Sequence, residues 1–364
     1  MKKTLLLHKG LLNYIRLNRQ ECLTFMKKYN VAVVGATGMV GNKMMEVLSE
    51  KNLPVENYYL FASAKSAGKK INFMGKEHTV IELCEENIVD KKIDIALFSA
   101  GGDTSKKFAP IFAKHGCLVI DNSSAWRRDE DVPLVVPECN AKDILWHKNI
   151  IANPNCSTIQ AVVALKPLHE EFGIKRIVYS TYQAVSGAGV KGFNDLKGGI
   201  CGEAPQKFPY PIFGNCLPHI DVFMDNGYTK EEDKMIFETK KILGDQNMKI
   251  TATCVRVPVY YGHSESVNVE FNKPCTLEKV IEVLENTEGI IVQNDSANNQ
   301  YPMPITAENK NEVFVGRIRL DDTVESGVNL WVVADNIRKG AATNAVQIAE
   351  KAIELGAVKD QYNG

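Results

Sequence analysis

The chain has 364 residues, of which 45% are hydrophobic and 24% charged, and its net charge is −1 at pH 7. This composition is typical of a globular protein long enough for two domains. It lacks the basic excess of a nucleic-acid-binding protein and the long apolar run of a membrane span. The nine cysteines form no C-x-x-C pair and no Cys/His cluster at metal-ligand spacing, which predicts a reducing cytoplasm and no bound metal.

Residues 1–25 do not fit the pattern that follows them. A short apolar stretch after two lysines suggests a signal peptide, but His8 and Lys9 interrupt it and no small-residue cleavage site follows. Met26 leads directly into an apolar strand. We therefore interpret residues 1–25 as a disordered extension or as a start codon assigned too far upstream.

Short apolar strands alternate with helical stretches as far as Ile151. The strands are predicted at 31–34, 58–61, 93–98 and 118–120, and the helices at 43–50 and 106–115. This alternation is typical of a doubly wound parallel sheet. We predict an α/β architecture whose Rossmann-type dinucleotide-binding domain spans residues 26–152 and is completed by residues 337–358.

The strands predicted after Cys156 are longer and alternate apolar with polar residues. They lie at 174–183, 249–259, 266–271, 313–320 and 328–334, with helices at 231–243, 277–284 and 341–355. This pattern predicts an α+β domain over residues 153–336 with a mostly antiparallel sheet. The segment from Gly187 to Tyr228 is too long and too rich in glycine and proline for a plain connection, so we expect a functional or interface excursion there.

Asn155-Cys156-Ser157-Thr158 places a cysteine where a helix is expected to begin, after Pro154 and before an apolar helical face. Asn155 is a natural N-cap, so Cys156 falls in the first helical turn. There the helix dipole and the unpaired N–H groups are expected to favour a thiolate and to bind an oxyanion. A cysteine taken alone is more often a small buried hydrophobe, but the dinucleotide turn and the charged residues described next favour a nucleophile.

A glycine-rich turn from Gly35 to Gly41 follows the first strand and opens a helix. Its glycines let the backbone approach a pyrophosphate at the helix N-terminus, although the spacing differs from G-x-G-x-x-G and a turn without a ligand is the alternative. The second strand ends in Ser63-Ala64-Lys65-Ser66, where an NAD-binding sheet usually has an acidic residue. Hydroxyls and a cation favour the 2′-phosphate of NADP, unless Lys65 is an ordinary surface lysine.

Charged residues suited to a small anionic substrate follow several predicted strands. Arg256 lies among apolar strand residues and could clamp a carboxylate or belong to a buried ion pair. His263, at the close of the same strand segment, could transfer protons at neutral pH, although a lone histidine is more often structural. Arg127 lies near the carboxyl end of a strand and could hold a phosphate. Glu238 and Lys241 share a helix face at i,i+3, which is also the spacing of a surface ion pair.

Several motifs in this order resemble the bacterial aspartate-semialdehyde dehydrogenases over residues 27–355. The shared motifs are Gly-Ala-Thr-Gly-x-Val-Gly at 35–41, Asp-Asn-Ser-Ser at 121–124, Val-Pro-Glu-x-Asn at 136–140, Asn-Pro-Asn-Cys-Ser-Thr at 153–158, Gln-Ala-Val-Ser-Gly-Ala-Gly at 183–189, Glu-Thr-x-Lys at 238–241 and Arg-Val-Pro-Val at 256–259. The resemblance implies a homodimer, or a tetramer, that reduces L-aspartyl 4-phosphate to L-aspartate 4-semialdehyde with NADPH and releases phosphate. It implies a place in lysine, methionine, threonine and isoleucine biosynthesis, and a catalytic and dimerisation role for the second domain.

The resemblance also implies a role for each site residue. Cys156 would be the nucleophile, His263 the acid/base and Gln183 the residue that orients the acyl group. The implied substrate contacts are Arg256 and Glu238 on the carboxylate and ammonium, Arg127 and Lys241 on the phosphate, and Asn155. The implied NADP contacts are Gly35, Thr37, Gly38, Met39, Val40, Ser63, Lys65, Ser66, Ser186, Gly187 and Asn336. The resemblance leads us to expect arginine at position 65, where this chain has lysine. Lysine keeps the positive charge but lacks the planar fork of the guanidinium.

Two other functions stay open from the sequence. An N-acetylglutamyl-phosphate reductase would share the layout, but its acylated amine carries no charge for Glu238 to bind. A non-catalytic dinucleotide-binding relative is expected to lack the cysteine that this chain keeps at position 156.

Overall fold

The computed structural model describes residues 27–359, so the interpretation of residues 1–25 lies outside the described residues. The first part of the fold runs from residue 29 to residue 152. Its strands are β1 (Tyr29–Val34), β2 (Val55–Ala62), β3 (Lys70–Phe73), β4 (Lys76–Thr79), β5 (Ile81–Glu82), β6 (Ile95–Phe98), β7 (Leu118–Asp121) and β8 (Ile150–Ala152). Its helices are α1 (Met39–Glu50), α2 (Glu85–Val89), α3 (Gly102–Lys114) and α4 (Pro137–Asn140), with 3₁₀ segments at Ala64–Ser66 and Ala141–Trp146.

Six of these strands form one parallel sheet in the spatial order β5-β2-β1-β6-β7-β8, and β3 and β4 form a separate hairpin. The sheet confirms the predicted Rossmann-type architecture. In such a sheet, ligands bind at the carboxyl ends of the strands. The turn after β1, the segment after β7 and the segment after β8 all lie at that edge.

The second part contains a mixed sheet. Its helices are α5 (Cys156–Phe172), α6 (Gly189–Gly199), α7 (Lys230–Leu243), α8 (Leu277–Glu285), α9 (Pro304–Ala307) and α10 (Asn344–Glu354), with a 3₁₀ segment at Val185–Ala188 and a π-helix at Arg338–Thr343. Its strands are β9 (Ile174–Gln183), β10 (Lys249–Arg256), β11 (His263–Phe271), β12 (Ile290–Val292), β13 (Val313–Leu320) and β14 (Gly327–Ala334). The order is β10-β9-β11-β14-β13-β12.

The central pairs of this sheet are antiparallel, as predicted, and the outer pairs β10–β9 and β13–β12 are parallel. One expectation was wrong: the strand predicted to run to Val259 ends at Arg256, and His263 begins the next strand instead of closing the same one. The two side chains still meet, because β10 and β11 flank β9 on either side and both residues lie at its carboxyl end.

Helix α5 lies between the two sheets and ties them into one core. Its apolar residues, including Ile159 and Val163, belong to a buried cluster that contains Ala152 of β8 and Val267 of β11. Asn155 caps its N-terminus and Gly173, with φ of 69°, ends it. Packing on both sides therefore fixes the place of the N-terminus of α5, where Cys156 lies.

Helix α10 returns to the first sheet and covers its other face. Val346 and Ile348 are buried in one cluster with Val33 of β1 and Leu97 of β6. Within residues 27–359 every helix falls short of the length and apolar character that a membrane crossing requires. The same residues contain no cluster of three or more His, Cys, Asp or Glu side chains that could hold a metal ion.

Candidate active site

A cavity of about 510 Å³ lies where the carboxyl edge of the first sheet meets the second sheet. The predicted site residues on its wall are Met39, Val40, Arg127, Asn155, Cys156, Gln183, Ser186, Gly187, Arg256, His263 and Asn336. Lys207, Ile220 and Asp221 border it from the segment predicted to be a functional excursion. The remaining predicted residues do not border this cavity. They are Gly35, Thr37, Gly38, Ser63, Lys65 and Ser66 near the dinucleotide turn, and Glu238 and Lys241 on α7.

Cys156 is the first residue of α5 and faces the cavity, as predicted from the N-cap. The helix start favours a thiolate, as expected, but burial outweighs this effect in the free protein. Burial raises the pKa of Cys156 to about 12, and the nearby carboxylate of Glu231 adds to the rise. Arg256, Arg127 and the N–H group of Ser157 act in the opposite direction but do not outweigh burial. Cys156 is therefore a neutral thiol at pH 7.

Asn155 uses its side chain to hold the start of α5 in place. Its Oδ1 accepts the N–H groups of Ser157 and Thr158 at 3.0 and 3.3 Å, and its Nδ2 donates to Glu231 Oε1 at 2.9 Å. Two of the N–H groups expected to bind an oxyanion are thus already engaged. The N–H group of Cys156 itself is the first-turn donor that Asn155 does not engage.

His263 presents one ring nitrogen to the cavity and uses the other internally. The backbone N–H of Ala184 donates to Nδ1 at 3.0 Å, so the proton of the neutral ring lies on Nε2. Within the described chain Nε2 has no hydrogen-bond partner. Burial and the charge of Arg256 lower the pKa of His263 well below its usual range. His263 is therefore a neutral hydrogen-bond donor at pH 7, not the half-protonated group that its ordinary pKa suggested.

Arg256 is 6% exposed and lies beside this histidine. Its Nη1 donates to the carbonyl of Ala184 at 2.7 Å, and its guanidinium lies 6.0 Å from the ring centre of Phe208. No carboxylate forms a salt bridge with it among residues 27–359, so the alternative of a buried ion pair does not hold. A side chain at Gly187 would lie 2.8 Å from Arg256 Nη1 and 3.3 Å from the His263 ring, so it would displace the guanidinium that the Ala184 carbonyl holds.

Sequence reasoning missed Glu231 and Lys234, which lie on α7 and border the cavity. Glu231 is 6% exposed, and its carboxylate accepts hydrogen bonds from Asn155 at 2.9 Å, Gln183 at 3.2 Å and Lys234 at 3.1 Å. Burial raises the pKa of Glu231, but Lys234, Asn155 and Arg256 outweigh it and leave the pKa below its usual value. Glu231 is therefore an ionised carboxylate in the cavity at pH 7.

Glu238 and Lys241, which were predicted to bind substrate, lie about two turns further along α7 than the residues that border the cavity. Both carboxylate oxygens of Glu238 are engaged, one by Arg127 Nη1 at 3.0 Å and one by the N–H of Asn155 at 2.7 Å. The ammonium of Lys241 donates to the carbonyls of Arg127, Asp129 and Val132 at 2.8 to 3.0 Å. Each residue thus holds other parts of the site in place and does not point into the main cavity.

Gln183 ends β9 with its side chain against the start of α5. Its Nε2 donates to Glu231 Oε1 at 3.2 Å and makes a short contact with Ser157 Oγ, while its Oε1 has no partner among the described residues. At the other side of the cavity Asn336 Oδ1 accepts the N–H of Gly262 at 2.9 Å, and its Nδ2 donates to Ser186 at 3.0 Å.

The glycine-rich turn packs so closely that two of its glycines leave no room for a side chain. Gly35 has φ of 86°, and a Cβ there would lie 2.5 Å from the carbonyl oxygen of Ser99. A Cβ at Gly41 would lie 2.1 Å from the carbonyl oxygen of Gly35. Gly38 begins α1 without a side-chain cap, and no acidic residue lies in the first turn, so the helix start suits an anion. Met39 and Val40 of the same turn border the cavity that contains Cys156.

The loop after β2 lies next to this turn. Thr37 Oγ1 is 3.4 Å from Ser66 Oγ, and Ser63 and Lys65 are exposed on the same loop. The loop that carries Lys65 and the two serines therefore lies against the glycine-rich turn.

The chain is similar to known proteins along most of its length. Residues 30–147 match the family model described as semialdehyde dehydrogenase, NAD binding domain, and residues 165–339 match the one described as semialdehyde dehydrogenase, dimerisation domain. The chain is 60% identical to the aspartate-semialdehyde dehydrogenase of Aquifex aeolicus over 339 residues, which cover 91% of this chain and 99% of that protein.

Solved structures are similar over the same length. Aspartate semialdehyde dehydrogenase II complexed with ASA from Vibrio cholerae aligns with a TM-score of 0.87 and 50% identity, covering 90% of this chain and 99% of that one. Aspartate semialdehyde dehydrogenase with NADP from Candida albicans aligns with a TM-score of 0.71 and 29% identity, covering 90% of this chain and 98% of that one.

Proposed function

The chain belongs to the aspartate-semialdehyde dehydrogenase family, and we propose that it reduces L-aspartyl 4-phosphate to L-aspartate 4-semialdehyde and releases phosphate. The observation that carries this proposal is one cavity that joins the dinucleotide turn at Met39 to a cysteine at a helix start, flanked by a carboxylate and two arginines. The product feeds lysine, methionine, threonine and isoleucine biosynthesis. The ASA complex of the Vibrio cholerae relative supports the same substrate.

The charges of the cavity match the charges of the substrate. Aspartyl phosphate carries an ammonium, a carboxylate and a phosphate. We assign the substrate ammonium to Glu231, because this buried side chain is an ionised carboxylate. We assign the substrate carboxylate to Arg256, because its buried guanidinium has free donors. Arg127 and Lys234, which both border the cavity, are assigned to the phosphate. Glu231 and Lys234 thus take the roles that the sequence assigned to Glu238 and Lys241.

The first step joins sulfur to the acyl carbon. Cys156 Sγ attacks the carbonyl carbon, phosphate leaves and carries off the thiol proton, and a thioester remains on Cys156. The N–H of Cys156 and the Nε2–H of His263 are the donors for the oxyanion of the tetrahedral intermediate. Because Cys156 is a neutral thiol and His263 already carries a proton on Nε2, proton transfer to the leaving phosphate balances the step without a protein base.

The second step reduces the thioester. NADPH bound at the glycine turn would supply the hydride, and one proton is consumed as the aldehyde leaves and the thiol re-forms. Gln183, fixed by Glu231 and Ser157, orients the acyl group. His263 donates a hydrogen bond to the sulfur or oxygen that carries the negative charge. Gly187 keeps the space between Arg256 and His263 open for both groups.

The preference for NADP over NAD is part of this proposal. Its support is the exposed Lys65 beside Ser63 and Ser66 at the end of β2, where no acidic residue stands to bind the ribose hydroxyls. The Candida albicans relative was solved with NADP. Five of the other contacts predicted for the cofactor border the cavity, namely Met39, Val40, Ser186, Gly187 and Asn336.

The domain boundaries and the assembly also remain proposals. We propose that residues 26–152 with 337–358 bind the dinucleotide and that residues 153–336 carry catalysis and form a homodimer. The match of residues 165–339 to a dimerisation-domain model supports the dimer. The cysteine content, without a C-x-x-C pair or a metal-like cluster, supports a cytoplasmic enzyme.

The reverse reaction tests the proposal. Purified protein is mixed with NADP, phosphate and either L-aspartate 4-semialdehyde or N-acetylglutamate 5-semialdehyde, and NADPH formation is followed by absorbance. We expect phosphate-dependent turnover with the first substrate and none with Cys156→Ala. Turnover with the acetylated substrate alone would identify the other reductase, and absence of turnover with both would point to a non-catalytic protein.

A further inference from the structure

The π-helix before α10 forms part of the cavity wall beside Cys156. Gly340 N donates to Asp335 O at 3.0 Å and Ala342 N to Ile337 O at 3.0 Å, so each bond spans five residues instead of four. Such wide turns are rare and recur at functional sites. Gly340 and Ala341 of this turn border the cavity.

The backbone of Gly340 lies directly against the proposed nucleophile. A Cβ at position 340 would lie 2.9 Å from Cys156 Cβ, 3.2 Å from its Cα and 3.3 Å from its carbonyl oxygen. Carbon atoms in contact lie about 3.5–4.0 Å apart. A methyl group at Gly340 would therefore push Cys156 away by roughly 0.5 Å or displace the π-helix.

Gly340 cannot retreat easily, because both preceding residues are anchored to the dinucleotide-binding part. Arg338 is 3% exposed and pairs with Glu46 at 2.8 Å and with Glu50, both on α1. Lys339 is 1% exposed, and its ammonium lies 2.7 Å from the carboxylate of Glu138. Arg338 thus fixes the wide turn to α1, the helix that follows the glycine turn, and Lys339 fixes it to α4.

The same turn is also bonded to the segment that carries Cys156. Asn153 Nδ2 donates to the carbonyl of Ala341 at 3.2 Å, and Asn344 Nδ2 donates to Asn153 Oδ1 at 2.7 Å. The π-helix therefore bridges α1 and the start of α5. One rigid turn therefore contacts both the helix after the glycine turn and the segment before Cys156.

We infer that Gly340 is a positioning residue: its bare Cα sets where Cys156 stands relative to the dinucleotide turn. The reaction that this placement serves rests on the proposed function, but the contact does not. Both chemical steps occur at a carbon bound to Cys156, so a displaced sulfur slows both. A misplacement of about 1 Å can cost about 10²-fold in rate, so a shift of roughly half that size should cost on the order of 10-fold or more.

Gly340→Ala tests the inference, with Ala342→Gly as the matched control. Ala342 is fully buried in the same π-helix but packs into the core beneath α10, away from the cavity. We expect Gly340→Ala to lower kcat on the order of 10- to 100-fold while the Kd for NADP stays within about twofold. Ala342→Gly should lower the melting temperature and leave kcat within about threefold. Loss of NADP binding in Gly340→Ala, or unchanged kcat, would overturn the inference.

Two measurements do not depend on turnover. The rate at which iodoacetamide alkylates Cys156, read by peptide mass spectrometry, should change in Gly340→Ala and not in Ala342→Gly. In a Cys156→Gly background, which removes the colliding Cβ, Gly340→Ala should cost less melting temperature than it does in the wild type. An equal cost in both backgrounds would show that the methyl group collides elsewhere. If these two results hold but the wild type does not turn over L-aspartate 4-semialdehyde, the proposed function fails and the positioning role stands.

Discussion

Glu265→Gln should make the protein less sensitive to pH than the wild type. Glu265 lies on β11 opposite Thr181 and Val332 and is fully buried. Within residues 27–359 neither of its carboxylate oxygens has a hydrogen-bond partner. Burial without compensation raises the pKa of Glu265 well above its usual range, so the folded protein holds a proton that the unfolded chain releases.

The sign and size of the effect follow from this difference. The unfolded chain loses the proton near pH 4.3, whereas the folded protein keeps it to higher pH. The free energy of unfolding therefore falls as pH rises from about 4.3 towards the folded pKa, by about 1.4 kcal/mol per pH unit. If Glu265 is still protonated in the folded protein at pH 7, the free energy of unfolding is about 3.5 kcal/mol lower there than near pH 4.3. Glutamine keeps the shape and does not titrate.

Urea unfolding of both proteins between about pH 5 and pH 7, at one protein concentration, measures this slope. The free energy of unfolding of Glu265→Gln minus that of the wild type should rise with pH by up to about 1.4 kcal/mol per unit. Glu270→Gln is the control, because it makes the same replacement on the same strand beside Lys175 at the surface. Parallel curves for wild type and Glu265→Gln would show that the buried carboxyl is ionised in the folded protein.

Four further substitutions test individual assignments. Lys65→Asp should reduce the ratio of kcat/KM for NADP to that for NAD, because it removes the cation proposed for the 2′-phosphate; an unchanged ratio would assign Lys65 to solvent. Glu231→Gln should lower kcat/KM for the semialdehyde by about 10- to 100-fold, the value of a charge-assisted hydrogen bond, without changing the Kd for NADP; an unaltered kcat/KM would mean that the ammonium binds elsewhere. Arg256→Lys should lower kcat/KM by about 10²-fold through a misplaced carboxylate, whereas Arg127→Leu should mainly raise the KM for phosphate. The opposite pattern would exchange the two arginines.

The sequence predicted those features that depend on local pattern. The parallel sheet follows from short apolar strands alternating with helices, and the place of Cys156 follows from the N-cap at Asn155. Boundaries were less certain where loops follow strands, as at Val259. The π-helix could not be foreseen, because its anchors Arg338 and Lys339 find their partners about 200 or more residues away in the chain.

The residues of α7 that border the cavity were harder to predict, because several turns of this helix carry charged residues on the same face. Positions 231, 234, 238 and 241 lie on one face of α7, so spacing alone does not tell which turn reaches the cavity. The capping box at Thr229 and Glu232 locates the helix start but does not tell which turn faces the cavity. The pKa shifts of Cys156 and His263 could not be predicted for a different reason. A helix start and an ordinary imidazole pKa are local properties, whereas burial of Cys156 and His263 arises from packing between two sheets.

A neutral thiol also bears on how the protein withstands oxidants. Peroxides attack the thiolate, which is a very small fraction of Cys156 when its pKa is about 12. Cys156 therefore forms sulfenic acid slowly while the cavity is open, although it is the residue whose loss would end turnover. Cys201 and Cys216 are exposed and encounter such oxidants first. The low thiolate fraction of Cys156 thus limits its direct oxidation by peroxides.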